Sequence, residues 1–169
     1  MRALVVYESV FGNTEEIARA VAAGLSETFE VTFADVNSMP PAFGMDLIVA
    51  GGPTHAFGLS RPSTREQATR QGTVRPGAVG LREYLDCSPP LTDIRAAAFD
   101  TKVNKPRMPG SAARKAQHQL RRLGCRIVLP AQSFFVSGTT GPLITGEEKR
   151  ARDWGLALAS TVMAAQHKV

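Results

Sequence analysis

Short, almost wholly apolar runs alternate along this chain with stretches of helical periodicity, and no other feature limits its fold so strongly. Ala3 to Tyr7 contains no charged or strongly polar residue before Glu8. A strand of that kind needs cover on both faces, which parallel sheets obtain from the helices that connect their strands. Thr14 to Leu25 supplies such a helix. Ile17, Ala18, Val21, Ala22 and Leu25 fall on one face, and Glu15 and Glu16 sit in the first turn, where the helix dipole favours them. Phe29 to Val36, Leu47 to Ala50 and Ala96 to Phe99 read as the second, third and fourth strands, and Arg126 to Leu129 begins the fifth. Ser111 suits the N-cap of a helix that buries Ala112, Ala113, Ala116, Leu120 and Leu123 and stops at Gly124. Thr145 with Glu148 forms a capping box opening a last helix, which buries Ala151, Trp154, Leu158 and Val162. Prolines 53, 62, 76, 89 and 90 break the pattern in between, leaving short helical pieces near Ser63 to Gln71 and Ala78 to Leu85. The economical architecture is one α/β domain over residues 1–169, a doubly wound five-stranded parallel sheet. Ligands of such sheets bind beyond the carboxyl ends of the strands, so the loops after strands one, three, four and five are the ones that matter.

Composition narrows the function classes. With 169 residues, 43% of them hydrophobic and 21% charged, the chain has enough material for one ordinary core. Cys87 and Cys125 are too few for a disulfide framework and have no metal-ligand spacing, so no metal site is expected and a reducing, cytoplasmic setting is. The N-terminal apolar run is too short for a signal-peptide core, and no run approaches the roughly 20 residues of a membrane span. Net charge is +5, but it is segregated: residues 1–58 hold 2 basic against 7 acidic residues, and residues 59–169 hold 18 against 8. No helix-turn-helix, zinc finger or RNA-binding signature accompanies the basic half, so nucleic acid is not the expected partner. A monomer is the simpler expectation.

The first loop, Glu8-Ser9-Val10-Phe11-Gly12-Asn13-Thr14-Glu15, lies between a buried strand and a helix start. Free backbone amides and the dipole at a helix N-terminus favour an anion, Gly12 permits a positive φ, and Ser9, Asn13 and Thr14 add neutral donors. Such a loop suits phosphate, and it equally suits an ordinary strand-to-helix turn with a Ser/Asn/Thr cap. It has neither the lysine of a Walker A loop nor the spacing of the dinucleotide fingerprint. No GxSxG elbow or Cys/His nucleophile pattern is present, which argues against hydrolase chemistry.

Two segments together give the chain a family likeness. Ser9-Val10-Phe11-Gly12-Asn13-Thr14-Glu15 after the first strand, and Gly51-Gly52-Pro53-Thr54-His55-Ala56-Phe57-Gly58 after the third, resemble the phosphate loop and the flavin-side turn of the flavodoxin-like family. The resemblance extends over nearly the whole chain. It implies strand order 2-1-3-4-5 and FMN held without a covalent bond. Ser9, Val10, Phe11, Gly12, Asn13 and Thr14 would then cradle the phosphate, with Pro53, Thr54, His55, Phe57 and Gly58 along one side of the ring and Asp100, Thr101 and Lys102 after strand four on the other.

The chain departs from that pattern in two places. Phe11 stands where many flavodoxins have a threonine, and the segment from Asp100 to Arg107 has no aromatic residue to stack on the ring and carries Lys102, Lys105 and Arg107 where acidic residues are usual. Phe57, or Phe134 and Phe135 from the fifth strand, would have to supply the aromatic contact. A lysine beside a reduced flavin would favour its negative charge by Coulomb attraction. Residues 61–126, with 14 basic against 5 acidic residues, suit either an acidic redox protein or a phosphorylated nicotinamide, NAD(P)H, and equally an arginine-rich solvated surface. His55 is the candidate proton donor if the flavin serves an enzyme. Three functions follow: an FMN electron carrier, which the short chain favours because it leaves little room for a walled substrate pocket; an FMN-dependent NAD(P)H:quinone-type oxidoreductase; and a flavodoxin-like module that has lost its flavin.

Overall fold

The computed structural model describes residues 1–72 and 78–166, so Pro76 and His167 lie outside the described residues. Strands β1 (Arg2–Tyr7), β2 (Glu30–Asp35), β3 (Leu47–Pro53), β4 (Arg95–Val103), β5 (Arg126–Ile127) and β6 (Gln132–Val136) form one sheet. Every pairing is parallel, and the order is β2-β1-β3-β4-β5, with β6 also paired to β4. Helices α1 (Asn13–Leu25), α2 (Pro62–Thr69), α3 (Leu81–Cys87), α4 (Ala112–Arg122) and α5 (Glu147–Gln166) connect the strands and complete the chain.

The alternation of side chains along the strands divides the core into two layers. Val5, Val49, Ala97, Phe99 and Phe134 face α1 and α5, meeting Ile17, Val21, Leu25, Leu158 and Val162. Leu4, Val6, Ile48, Ala50, Ala96 and Ala98 face the other way, meeting Leu81, Leu85, Ala112, Ala116 and Leu120. Both faces are therefore covered, which is why the strands read as continuous apolar runs. On the first face α1 and α5 cross in close backbone contact. A β-carbon on Gly155 would lie 2.4 Å from the Val21 carbonyl oxygen, and one on Gly24 would lie 2.3 Å from that of Arg152.

Three expectations need correction. The strand expected over Arg126–Leu129 stops at Ile127, and pairing with β4 resumes only at Gln132. Pro130 has no N–H for the ladder, and the Ala131 N–H turns to Gln117 Oε1 at 2.8 Å. The last helix starts at Glu147, and its first backbone bond runs from Arg150 to the carbonyl of Gly146, so the cap position falls on Gly146 and not on Thr145. β4 continues to Val103, four residues past the expected end at Phe99, so Asp100, Thr101 and Lys102 lie within the strand and not after it, and β3 likewise continues to Pro53. Elsewhere the shifts are small. The short helices occupy Pro62–Thr69 and Leu81–Cys87, Ser111 caps α4 by accepting from the Arg114 N–H at 3.2 Å, and Gly124 follows with φ of 96°. Trp154 is half-buried against the first core layer.

Candidate functional site

Three loops meet at the carboxyl end of the sheet. The loop from Glu8 to Gly12 leaves β1, Thr54 to Arg61 leaves β3, and Asn104 to Ser111 leaves β4. Between them lies a cleft lined by Val10, Phe11, Asn13, Thr14, Pro53, Thr54, His55, Thr101 and Lys102 from the expected set. Val103, Val136 and Thr139 line it too. Sequence reasoning missed Val136 and Thr139 because the interruption of the fifth strand hid that β6 and its following loop return to the cleft, whereas Val103 ends β4 directly after the expected Lys102.

The chemistry of the first loop differs from its sequence appearance. Its side chains are partly engaged by the protein itself. Ser9 Oγ accepts from the Glu15 N–H at 3.2 Å, the Asn13 amide donates to the Thr140 carbonyl at 3.1 Å, and the Thr14 and Thr101 hydroxyls share a buried contact of 2.7 Å. Two hydroxyls have two protons and one shared contact, so one proton of the Thr14–Thr101 pair stays available. The backbone amides are different. Those of Val10, Phe11, Gly12, Asn13 and Thr14 donate to no acceptor among the described residues. Gly12, at the N-cap of α1 with φ of 95°, turns the chain so that these donors precede the positive end of the helix dipole, and a β-carbon built on it meets nothing within 4 Å. A half-buried run of unpaired N–H groups around open space is a donor set for a phosphate.

Below the cleft Asp100 is fully buried. Its Oδ2 accepts from Thr54 Oγ1 at 3.0 Å, Ser111 Oγ at 2.6 Å and the Ala113 N–H at 3.0 Å, while Oδ1 has no partner among the described residues. Asp100 thus joins the loop after β3 to the start of α4 from beneath. Lys102 lines the cleft and donates to the Gly110 carbonyl at 3.1 Å.

His55 and Gly58 exchange backbone hydrogen bonds of 2.8 and 2.9 Å across a two-residue turn in which Ala56 and Phe57 both have positive φ, 41° and 73°. This turn separates residues expected to act together. His55 faces the cleft, whereas Phe57 and Gly58 line a neighbouring cavity and not the cleft, and Phe57 is 58% exposed. Burial first, and then the nearby Arg65 charge, hold the His55 imidazole below its usual pKa, so the ring is neutral at pH 7; its Nδ1 lies 3.4 Å from Thr64 Oγ1. The other aromatic candidates are elsewhere. Phe134 is fully buried against Phe99 and Trp154, each ring centre 6.1 Å away, and Phe135 does not line the cleft. Phe11 is the aromatic side chain that does.

A buried polar chain behind these loops was also missed. Glu8 accepts from the Ser60 hydroxyl and, at 2.8 Å, from the Leu81 N–H; Arg65 donates to Ser60 Oγ at 2.9 Å and pairs with Glu83 at 2.7 Å. Burial raises the Glu8 pKa, against the opposing pull of these hydrogen bonds and of Arg65. The signal was present in the sequence, since a glutamate directly after a buried apolar strand needs a partner. Among the described residues no three His, Cys, Asp or Glu side chains gather to hold a metal ion, and no helix is long and apolar enough to cross a membrane.

No protein-family model matches the chain, and no curated protein matches it. Solved structures do. Oxidised flavodoxin 2 from Bacillus cereus matches with a TM-score of 0.71 at 19% identity, over 95% of this chain and 99% of its own. Flavodoxin 1 from the same organism matches with a TM-score of 0.70 at 20% identity, over 95% and 98%. A flavodoxin, WrbA-like protein from Agrobacterium tumefaciens matches with a TM-score of 0.62 at 16% identity, over 96% and 98%. The chain therefore has the flavodoxin-like fold, five parallel strand positions in the order 2-1-3-4-5, the last of them divided between β5 and β6.

Proposed function

We propose that this protein binds FMN in the cleft and transfers electrons between redox partners. The observation that carries the reading is the run of unpaired amides from Val10 to Thr14 around Gly12. These five N–H groups would hold the phosphate, with the free proton of the Thr14–Thr101 pair as an additional donor. Pro53, Thr54 and His55 on one wall and Thr101, Lys102 and Val103 on the other would orient the ring, and Phe11, Val10 and Val136 would exclude water from its apolar parts. FMN supplies the one- and two-electron chemistry that no side chain here can. Lys102 brings positive charge to the site, and the excess of cations over residues 61–126 suits an acidic redox protein as partner. The absence of disulfides fits a cytoplasmic setting.

A second reading, an FMN-dependent NAD(P)H oxidoreductase, is favoured by one observation. The cavity on the far side of the His55–Gly58 turn is basic and shares His55 with the cleft, so a donor bound there would lie next to the proposed flavin site. Both readings require the phosphate cradle, and Gly12→Ala tests it. A β-carbon at Gly12 has room, so the fold should survive with only the left-handed backbone penalty of about 1–2 kcal/mol. The methyl group would occupy the cradle and tilt its amides. We expect FMN affinity, read by quenching of flavin fluorescence, to fall by about tenfold or more, as loss of one charge-assisted hydrogen bond would produce. Unchanged affinity in a folded Gly12→Ala protein would remove the cradle from the account.

A further inference from the structure

The cavity beyond the His55–Gly58 turn has a volume of about 300 Å³, at the lower end of the range for ligand pockets. Arg61 enters it from the loop before α2, Arg82 from α3 and Lys115 from α4, with Thr64, His55 and Phe57 completing the walls that matter here. None of the three cations makes an ion pair among the described residues, whereas Arg65, just behind them, is paired with Glu83 at 2.7 Å. Arg82 is moreover held in place by neutral groups. Its Nε donates to the Ser60 carbonyl at 3.3 Å and its Nη2 to the Leu59 carbonyl at 3.0 Å, which fixes the guanidinium without cancelling its charge. Three uncompensated cations converging from three elements on one concavity make a positive field that an anion would relieve.

Phe57 adds a second chemistry at the rim of the same cavity. It is 58% exposed, and it is held there by a turn in which two successive non-glycine residues take positive φ. Strain of this kind persists where the surroundings impose it, often at ligand sites. Here Gly110 lets the turn pack close: a β-carbon on it would lie 2.0 Å from the Phe57 carbonyl oxygen. The strained turn thus presents an aromatic face to solvent beside three cations, and an aromatic face binds a base by stacking, whichever base it is. His55, neutral at pH 7, offers a hydrogen-bonding ring on the cleft side.

We infer that this cavity binds a phosphorylated nucleotide, its phosphates on Arg61, Arg82 and Lys115 and its base against Phe57. The site is built without the phosphate loop, so the inference holds whether or not FMN occupies the cleft. An acidic protein surface would meet the same charges, but their convergence on one concavity and the aromatic residue at its rim favour a small ligand.

Isothermal titration of the purified full chain, its flavin content recorded by absorbance, with ADP, pyrophosphate and adenosine separates the possibilities. ADP should bind, and pyrophosphate and adenosine should each bind about tenfold more weakly or worse. Phe57→Ala should lower ADP affinity about tenfold and leave pyrophosphate unchanged, as loss of one base-stacking contact implies. Arg61→Gln and Lys115→Gln should weaken ADP and pyrophosphate together, and added salt should do the same. Arg126→Gln serves as the control, because Arg126 is exposed and pairs with Asp93 at the start of β5, at the opposite end of the strands. Pyrophosphate binding as tightly as ADP, with Phe57→Ala silent, would overturn the nucleotide and leave a simple anion pocket. Absence of ADP binding, or ADP binding that none of the three variants alters, would overturn the site; polyglutamate binding through Arg61 and Lys115 in its place would assign the surface to an acidic protein. FMN titration of the same preparations reports on the cleft separately.

Discussion

Asp100 accepts three hydrogen bonds on one oxygen while its other oxygen has none among the described residues, and both are out of water. Such a carboxylate is retained for what it holds: Thr54 beside the cleft, Ser111 at the cap of α4 and the Ala113 amide in the first turn. Removing it would leave these donors buried and unpaired, at about 1–3 kcal/mol for each that finds no water. Asp100→Ala should therefore lower stability by about 3 kcal/mol or more in urea denaturation, and Asp100→Asn, which keeps an acceptor of the same shape, by clearly less. Equal effects, or an alanine variant within about 1 kcal/mol of wild type, would mean that the three donors repartner locally. Residues at this scale were partly legible. Asp100, Thr101 and Thr14 could be placed at the carboxyl end of the sheet from their sequence neighbours, but the Thr14–Thr101 hydroxyl contact and the Asn13–Thr140 bond join segments 87 and 127 residues apart. No local pattern encodes such pairs, so the partial engagement of these side chains could not be read from the loop itself.

Between elements, small residues and buried carboxylates set the fit. Helix propensity alone says that Gly155→Ala should stabilise α5 by about 1 kcal/mol. The added carbon would lie 2.4 Å from a backbone oxygen of α1, which cannot rotate away as a side chain can, so overpacking of about 1–3 kcal/mol wins. We expect a net destabilised Gly155→Ala protein in urea denaturation; a stabilised one would show that the helices separate at little cost. Glu8 and Glu147 tie elements together and respond oppositely to pH. Burial raises the Glu8 pKa, so from the ordinary value of 4.5 upward the folded chain keeps a proton that the unfolded chain has lost, and stability falls as pH rises through that window. The hydrogen bond from Arg150 lowers the Glu147 pKa, with the Phe135 N–H at 2.7 Å helping against partial burial. Its stabilisation is present above 4.5 and is lost as pH falls through the folded value. Urea denaturation across pH should show wild type losing ground to Glu8→Gln above about 4.5, and to Glu147→Gln below it. A parallel pair of curves would detach these carboxylates from the pH response. Elements themselves were the most legible part, because strands covered on both faces and amphipathic helices impose periods of two and 3.6 on the sequence. The fifth strand was the exception: Pro130 interrupts the ladder inside an apolar stretch whose periodicity gives no sign of where pairing resumes.

For the whole molecule, three loops from distant parts of the chain are brought to one edge of the sheet, and the charge follows the same division. The half of the chain that supplies the amide cradle is acidic, and the half that supplies Lys102, Arg61, Arg82 and Lys115 is basic. Loop order could be read from the alternation of strands and helices, since ligands in doubly wound sheets lie beyond the strand ends. The two faces of the His55–Gly58 turn could not. Placing Phe57 with the cleft required its turn to be of another kind, and two positive φ values at Ala56 and Phe57 are not what those residues prefer on their own. Parallel fluorescence titrations with FMN and riboflavin decide whether the proposed cradle holds a flavin by its phosphate. The two ligands share the ring and differ in the phosphate, and two or more charge-assisted bonds at about 1.5–3 kcal/mol each amount to a hundredfold or more. FMN should bind about a hundredfold more tightly than riboflavin; equal affinities, or no quenching of FMN, would rule out the phosphate cradle.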